Sequence, residues 1–123
     1  MITTMGNIDR RKRRHRGIRK KIFGTDERPR LNIYRSNTNF YAQCIDDISG
    51  RVILGLSTLS PEFKKRYKYG GNKEAAKILG KMFAEKAIKE KDIKECVFDR
   101  SGYLYHGRVK NFVEGLREGG LKV

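Results

Sequence analysis

The alternation of hydrophobic and polar residues between positions 31 and 58 predicts three β-strands. Apolar and polar side chains alternate at residues 31–35, and residues 40–45 continue the alternation after a turn of serine and asparagine. A second turn at residues 46–50 leads into residues 51–58, which are rich in β-branched and apolar side chains. Because the connections are short, we expect the three strands to form an antiparallel meander.

A helical period replaces this alternation after residue 72. The apolar positions recur at intervals of three to four residues, at Ala76, Leu79, Phe83 and Ala87. Lys and Glu occupy the other side, so residues 73–91 are predicted to form a core helix. Asn72 is placed to cap its first turn. The preceding stretch, residues 59–71, has no clear period and is long for a connection, which indicates a functional loop or local disorder.

The last third of the chain predicts one more strand and one more helix. Residues 95–99 are short and largely apolar, as in a buried strand, and the apolar spacing of residues 109–116 predicts a helix that ends at the glycine pair 119–120. The element order is therefore β-β-β-α-β-α. A right-handed crossover would place the fourth strand parallel to the first, which gives an α/β fold with a mixed sheet of order 3-2-1-4.

Charge divides the chain into two parts. Nine of the twelve residues from 10 to 21 are Lys or Arg, and residues 1–24 carry +8 of the net charge of +15. We expect residues 1–24 to form a basic N-terminal arm that binds RNA and orders on binding, and residues 25–123 to form a single domain. The arm residues predicted to contact RNA are Arg10, Arg11, Lys12, Arg13, Arg14, Arg16, Arg19, Lys20 and Lys21.

The arm alone permits other interpretations, namely a nuclear address or a tail that aids solubility. The remaining +7 is spread over the predicted domain, which favours a surface wrapped by nucleic acid. No apolar run is long enough to span a membrane and no signal peptide is evident, so we expect no membrane partner. Cys44 and Cys96 are expected to be reduced and buried, and neither they nor the two histidines have metal-site spacing. We expect no metal, no other cofactor and no catalytic residue.

Two loops combine basic residues with aromatic residues. Residues 64–69 interleave four Lys or Arg residues with two tyrosines. The basic side chains can contact phosphates, and the tyrosine rings can stack on unpaired nucleobases. The alternative is a solvated charge run whose tyrosines cover the edge of the core. Residues 98–109 place Tyr103, Tyr105 and His106 beside a predicted helix start at Gly107, which suits base stacking and phosphate binding. The alternative there is that both tyrosines pack on the sheet.

Several segments, in order along the chain, resemble the large-subunit ribosomal protein eighteen family of the bacterial type. They are the basic run at residues 10–21, Gly-Thr-Asp-Glu-Arg-Pro-Arg-Leu at 24–31, Arg-Ser-Asn at 35–37, Tyr-Ala-Gln at 41–43, Ile-Asp-Asp at 45–47, Gly-Asn at 71–72, Glu-Ala-Ala-Lys at 74–77, Val-Phe-Asp-Arg at 97–100 and Tyr-His-Gly-Arg-Val at 105–109. Three features depart from the family pattern. Ser101 stands where glycine is usual, Cys44 stands where an aliphatic residue is common, and residues 63–69 are unusually basic and aromatic.

The resemblance implies a non-enzymatic protein of the large ribosomal subunit, cytoplasmic or in an organellar ribosome. It implies that the chain binds 5S rRNA and helps attach it to 23S rRNA in the central protuberance, beside neighbouring ribosomal proteins. The RNA contacts expected outside the arm are Arg28, Arg30, Arg35, Ser36, Asn37, Tyr41, Gln43, Lys68, Tyr69, Gly71, Asn72, Arg100, Tyr103, Tyr105, His106, Gly107 and Arg108.

Two rival functions come from other classes. Asp46, Asp47 and Asp99 lie near predicted strand ends, as in nucleases that hold two magnesium ions. Against a nuclease, no Glu of the long helix is clearly directed at them, and Arg100 is placed to pair with Asp99. A DNA binder without sequence preference is the second rival, and competition between duplex DNA and RNA would separate the two.

Overall fold

The computed structural model describes residues 2–123, with side chains from residue 10 onward. Met1 and the side chains of residues 2–9, which belong to the predicted arm, lie outside the described part. The elements in chain order are α1 (Ile2–Arg19), β1 (Arg30–Arg35), β2 (Phe40–Asp46), β3 (Arg51–Ser57), α2 (Pro61–Lys64), α3 (Lys73–Lys91), β4 (Val97–Asp99) and α4 (Arg108–Glu118).

The four strands form one mixed sheet in the order β3-β2-β1-β4. β1 pairs antiparallel with β2 and parallel with β4, so Leu31 lies opposite Cys44 on one side and Phe98 on the other. β2 pairs antiparallel with β3, with a bulge after Cys44. The predicted fold class and strand order are confirmed.

Several elements differ in detail from the prediction. β4 begins at Val97 rather than at residue 95, and Glu95 instead forms an isolated bridge with Lys122. The segment without a clear period contains the short helix α2, which buries Phe63 completely. Asn72 caps α3 as expected, since its side-chain oxygen accepts a hydrogen bond from the Ala75 N–H at 2.8 Å.

The core lies between one face of the sheet and the helices α3 and α4. Phe112 of α4 is its centre, with ring centroids of Phe40 at 5.0 Å, Phe83 at 6.4 Å and Phe98 at 6.5 Å. The two helices approach closely through glycines: a Cβ at Gly80 would overlap the Phe112 carbonyl oxygen, and one at Gly115 would overlap that of Lys77. The stripe predicted from sequence, Ala76, Leu79, Phe83 and Ala87, is fully buried, which confirms α3 as a core helix.

The two cysteines are buried and free, as predicted. Their sulfur atoms lie 3.6 Å apart, and the hydrogen bond with Cys96 together with burial raises the pKa of the Cys44 thiol. Cys44 lies in β2 and Cys96 immediately precedes β4, rather than lying in a strand as predicted, so the contact reaches across β1, which separates these two strands. Among residues 2–123, no helix combines the length and the apolar character needed to cross a bilayer.

Candidate nucleic-acid interface

Helix α1 has two chemically similar but structurally different faces. Five positions at helical spacing are partly buried: Arg11, Arg14, His15, Ile18 and Arg19. The exposed positions of the described side chains are Arg10, Lys12, Arg13, Arg16 and Gly17, and Lys20 and Lys21 are exposed just beyond the helix. The basic residues of the arm are thus divided between a face toward the domain and a face toward solvent.

The face toward the domain contacts the turn after β4. Arg11 Nη1 donates to the Ser101 carbonyl oxygen at 2.9 Å, and Arg14 Nε donates to that of Gly102 at 2.7 Å. The turn needs positive φ at both residues, 55° at Ser101 and 82° at Gly102. This explains why glycine suits the position of Ser101. A Cβ at Gly102 would also overlap the Arg11 backbone.

A buried charge network lies beside these contacts. Arg30 donates to Asp47 Oδ2 at 2.9 Å and to Asp99 Oδ2 at 2.7 Å, and His15 Nε2 lies 3.0 Å from the same Asp99 oxygen. Burial lowers the pKa of Arg30, but the hydrogen bonds to Asp47 and Asp99 together with the negative charges of both carboxylates outweigh burial and raise it. The Arg30 hydrogen bond is the largest of the causes that hold the pKa of Asp47 below its ordinary value.

Three arginines from three elements converge on an open cleft of about 740 Å³, which we call the arginine cleft. Its lining residues are Arg11, Tyr34, Arg35, Ser36, Asn37, Tyr103 and Arg108. None of them is acidic, and among the described side chains no carboxylate lies within salt-bridge distance of Arg11, Arg35 or Arg108. Burial, and after it the charge of Arg35, lowers the pKa of Arg108. The cleft therefore concentrates uncompensated positive charge.

Tyr103 is the structural support of the arginine cleft. It is only 8% exposed, and the guanidinium carbons of Arg11 and Arg35 lie 4.7 Å and 5.2 Å from its ring centroid. Its hydroxyl oxygen accepts from the Arg35 N–H at 3.2 Å. Cation–π contacts of this kind fix the position of a guanidinium without neutralising it.

A shallow groove on the sheet face away from the core adjoins the cleft. Tyr34 lines both sites and is 54% exposed, and its ring centroid lies 5.7 Å from that of Tyr41. Asn32 and Gln43 supply amide groups to the same groove. Exposed aromatic rings beside amide donors and acceptors are suited to unpaired bases.

The predicted contact residues outside the arm differ in where they lie relative to the cleft and the groove. Arg35, Ser36, Asn37, Tyr103 and Arg108 line the arginine cleft, and Tyr41 and Gln43 line the adjoining groove. Gly71 packs against the Asn37 carbonyl and the Tyr69 ring, which brings residues 69–71 to the cleft's edge. The exposed residues Arg28, Lys68, Tyr105 and His106, with half-buried Gly107, do not line either site.

Three further predicted contacts have side chains that are engaged within the protein. Arg30 is buried between two carboxylates, Asn72 caps α3, and Arg100 donates to the Tyr103 carbonyl oxygen. The expected pairing of Arg100 with Asp99 is wrong, because Arg30 and His15 hold that carboxylate. Whether these residues also contact RNA stays a prediction.

Two functional features were missed from the sequence. Tyr34 alternates with the core residue Ile33, so the strand period already places it on the outer face of the sheet, but its link to the cleft depends on the fold. The second feature is the role of Asp99 and of the turn at 101–102 in holding α1. No sequence pattern signals it, because the contacts join residues 84 to 90 positions apart.

The acidic residues do not form a magnesium site. Arg30 lies between Asp47 and Asp99, and the Asp46 oxygens accept hydrogen bonds from the Ile48 N–H and the Ser49 hydroxyl. In the part of the chain with described side chains, no three His, Cys, Asp or Glu residues form a metal-binding group.

The family described as ribosomal L18 of archaea, bacteria, mitochondria and chloroplast has a model that matches residues 5–123. The chain belongs to this ribosomal L18 family. The large ribosomal subunit protein uL18 of Clostridium kluyveri is 61% identical over 112 residues, which cover 91% of each chain. That of Desulforamulus reducens is 57% identical over 121 residues, covering 98% of each, and that of Thermotoga neapolitana is 52% identical over 122 residues, covering 99% of each.

These relatives are bacterial, and they confirm the bacterial type of the L18 family that the sequence motifs indicated. The L18 family is structural and non-enzymatic. The chain is therefore a ribosomal protein and not an enzyme, and the nuclease alternative is wrong.

Proposed function

We propose that this L18 protein binds 5S rRNA and helps attach it to 23S rRNA in the central protuberance of the large subunit, beside neighbouring ribosomal proteins. The coarser role follows from the family: a structural constituent of the large subunit of the cytoplasmic ribosome. Within this proposal, residues 1–24 act as an RNA-binding arm and residues 25–123 as the rRNA-binding domain.

The arginine cleft is the observation that carries this proposal. Arg11, Arg35 and Arg108 lie close together, and among the described side chains none of them has a carboxylate within salt-bridge distance, although like charges repel and Arg108 is partly buried. An anionic ligand relieves this repulsion, because each guanidinium can donate two parallel hydrogen bonds to one phosphate. The RNA backbone supplies phosphates at the spacing of successive nucleotides, and Ser36 and Asn37 add neutral hydrogen-bonding groups at the rim.

The groove beside the cleft supports RNA over duplex DNA as the ligand. The exposed Tyr34 and the half-buried Tyr41 offer rings to splayed bases, and Asn32 and Gln43 offer amides to base edges. Unstacked bases of this kind occur in RNA loops and bulges, whereas a DNA duplex keeps its bases stacked. Phosphate binding in the cleft and stacking in the groove would thus engage one continuous strand.

A pair of arginine substitutions in the same helix tests the cleft. Arg108 lies at the start of α4 in the cleft, and Arg117 lies in its last turn outside the cleft. We expect Arg108→Ala to weaken 5S rRNA binding about ten-fold or more, because a hydrogen bond to a charged group contributes about 1.5–3 kcal/mol. We expect Arg117→Ala, with the same loss of charge, to weaken binding less than about two-fold. Filter binding or fluorescence anisotropy at fixed salt measures both, and equal losses would contradict the cleft as the binding site.

A further inference from the structure

The nine Lys and Arg residues of the arm have the same charge but different surroundings. Arg14 is the clearest example of the domain-facing set, because its Nε–H donates to the Gly102 carbonyl oxygen at 2.7 Å. Its sequence neighbour Arg13 is exposed, with no hydrogen bond or ion pair within the protein among the described residues. Arg14 is thus engaged within the protein, while the Arg13 side chain is exposed to solvent, where a phosphate can reach it.

The other domain-facing polar residues are also engaged. His15 Nε2 lies 3.0 Å from Oδ2 of the fully buried Asp99. Arg19 donates to the Ile22 carbonyl oxygen at 2.8 Å and lies 3.7 Å from Asp47. The contacts to the domain reach two places, the turn at residues 99–102 and Asp47 after β2, whereas the Ile22 carbonyl belongs to the arm itself. Two separate anchor points fix both the position and the rotation of α1 on the domain.

We propose that Arg14, His15 and Arg19 are positioning residues that dock the arm helix on the domain in the RNA complex, and that the opposite face binds RNA phosphates. The phosphate-binding set comprises Arg10, Lys12, Arg13, Arg16, Lys20 and Lys21. Arg11 belongs to both sets, since it contacts Ser101 and also lines the arginine cleft. This inference rests on the proposed RNA-binding function and adds a division of labour that the composition of the arm does not show.

The physical consequence is a difference in salt dependence. A Lys or Arg residue that neutralises a phosphate releases condensed counterions. Its replacement by a neutral residue therefore makes the slope of log affinity against log salt concentration shallower by about 0.7–0.9. A basic residue that only donates a hydrogen bond to a backbone carbonyl of its own protein releases no counterions. Removing it weakens binding through misplacement of the helix, by about three- to ten-fold if one hydrogen bond is lost, and leaves the slope nearly unchanged.

Alanine and glutamine substitutions at the adjacent positions 13 and 14 provide matched variants. Gln places a neutral N–H donor at the same number of bonds from the backbone as Arg Nε, so Arg14→Gln can keep the hydrogen bond to Gly102. We expect Arg14→Ala to lower affinity at constant slope, and Arg14→Gln to restore most of the affinity. We expect Arg13→Ala and Arg13→Gln to lower affinity alike, both with a shallower slope. Circular dichroism of each full-length variant checks that the domain is folded.

The titrations are run over a salt series with 5S rRNA and, separately, with transfer RNA. Both are polyanions, so the comparison of positions 13 and 14 can be read with either one. Equal slope changes at the two positions, or no rescue by Arg14→Gln, would overturn the division of the arm. A wild-type protein that binds both RNAs equally would instead overturn 5S recognition, and the two failures are therefore distinguishable.

Discussion

Arg30 and Asp47 join the end of the arm to the sheet. The Asp47 carboxylate accepts from Arg30 at 2.9 Å and 3.1 Å and from the Gly24 N–H at 2.8 Å. A Cβ at Gly24 would overlap the Arg30 backbone, so the chain passes very close to β1 at this point. Asp47 therefore connects the segment after α1 to the first two strands of the sheet.

The lowered pKa of Asp47 predicts a contribution to acid unfolding. Its ordinary value is 3.8, and the Arg30 hydrogen bond lowers the value in the folded state. The stabilisation is fully present above about pH 4, and it is lost as the pH falls through the folded value, because the unfolded state then binds the proton more readily. We expect Asp47→Asn to lower the free energy of unfolding at pH 7.

The difference between wild type and Asp47→Asn should shrink as the pH falls below about 4. Urea unfolding at a series of pH values measures it. Asp26→Asn is the control, because Asp26 is exposed and forms no salt bridge among the described residues. A difference from wild type that stays constant down to about pH 2 would contradict this role of Asp47.

Helices α3 and α4 depend on two glycines for their close approach. Gly80 and Gly115 each face the backbone of the opposite helix, where a methyl group would overlap a carbonyl oxygen. Both glycines lie within helices and neither has a positive φ, so their backbone conformation does not require glycine. In an isolated helix, Ala would be favoured at these positions by about 1 kcal/mol. The packing of the two helices thus outweighs the intrinsic helix propensity at these positions.

Replacement of Gly115 tests this packing. We expect Gly115→Ala to destabilise the domain by about 1–3 kcal/mol, because the helices must move apart and open the core around Phe112. Gly17→Ala is the matched control: it also places Ala in a helix, but nothing lies within 4 Å of the added methyl group. Urea unfolding of both variants measures the effect, and a Gly115→Ala protein as stable as the wild type would refute it.

The elements that the sequence predicts well are those that bury apolar stripes. The positions Ala76, Leu79 and Phe83 face the core, and the strand alternation gives the meander, because burial of apolar area determines both. α1 was not predicted as a helix. Its domain-facing side has one apolar residue, Ile18, and is otherwise formed by arginines and a histidine that bind carbonyl and carboxylate oxygens, so no hydrophobic period reveals it.

The candidate site could be predicted in composition but not in arrangement. The basic and aromatic loop at residues 98–109 indicated Tyr103 and Arg108, and the family resemblance implied Arg35. Tyr103, however, is a buried support under two guanidiniums rather than an exposed ring. Its environment depends on α1 and β1 meeting at the same turn. Side-chain roles that depend on such long-range contacts require the tertiary structure.

At the scale of the whole molecule, positive charge and the core occupy different regions. The arginine cleft, the groove at Tyr34 and the outer side of α1 form the proposed RNA surface, while the aromatic core lies between the other sheet face and α3 and α4. The proposed cationic surface and the aromatic core therefore lie on opposite sides of the sheet. Neutralisation of six to ten phosphates predicts a salt slope of about −4 to −7.

Competitive titration of the full-length protein against 5S rRNA tests the central claim most directly. Labelled 5S rRNA is titrated in the presence of excess transfer RNA, a competitor of similar size and charge, and the titration is repeated across salt concentrations. We predict saturable binding that transfer RNA does not displace, with a steep salt slope. Complete displacement by transfer RNA would contradict specific 5S recognition, and a slope near zero would contradict the electrostatic account of the interface.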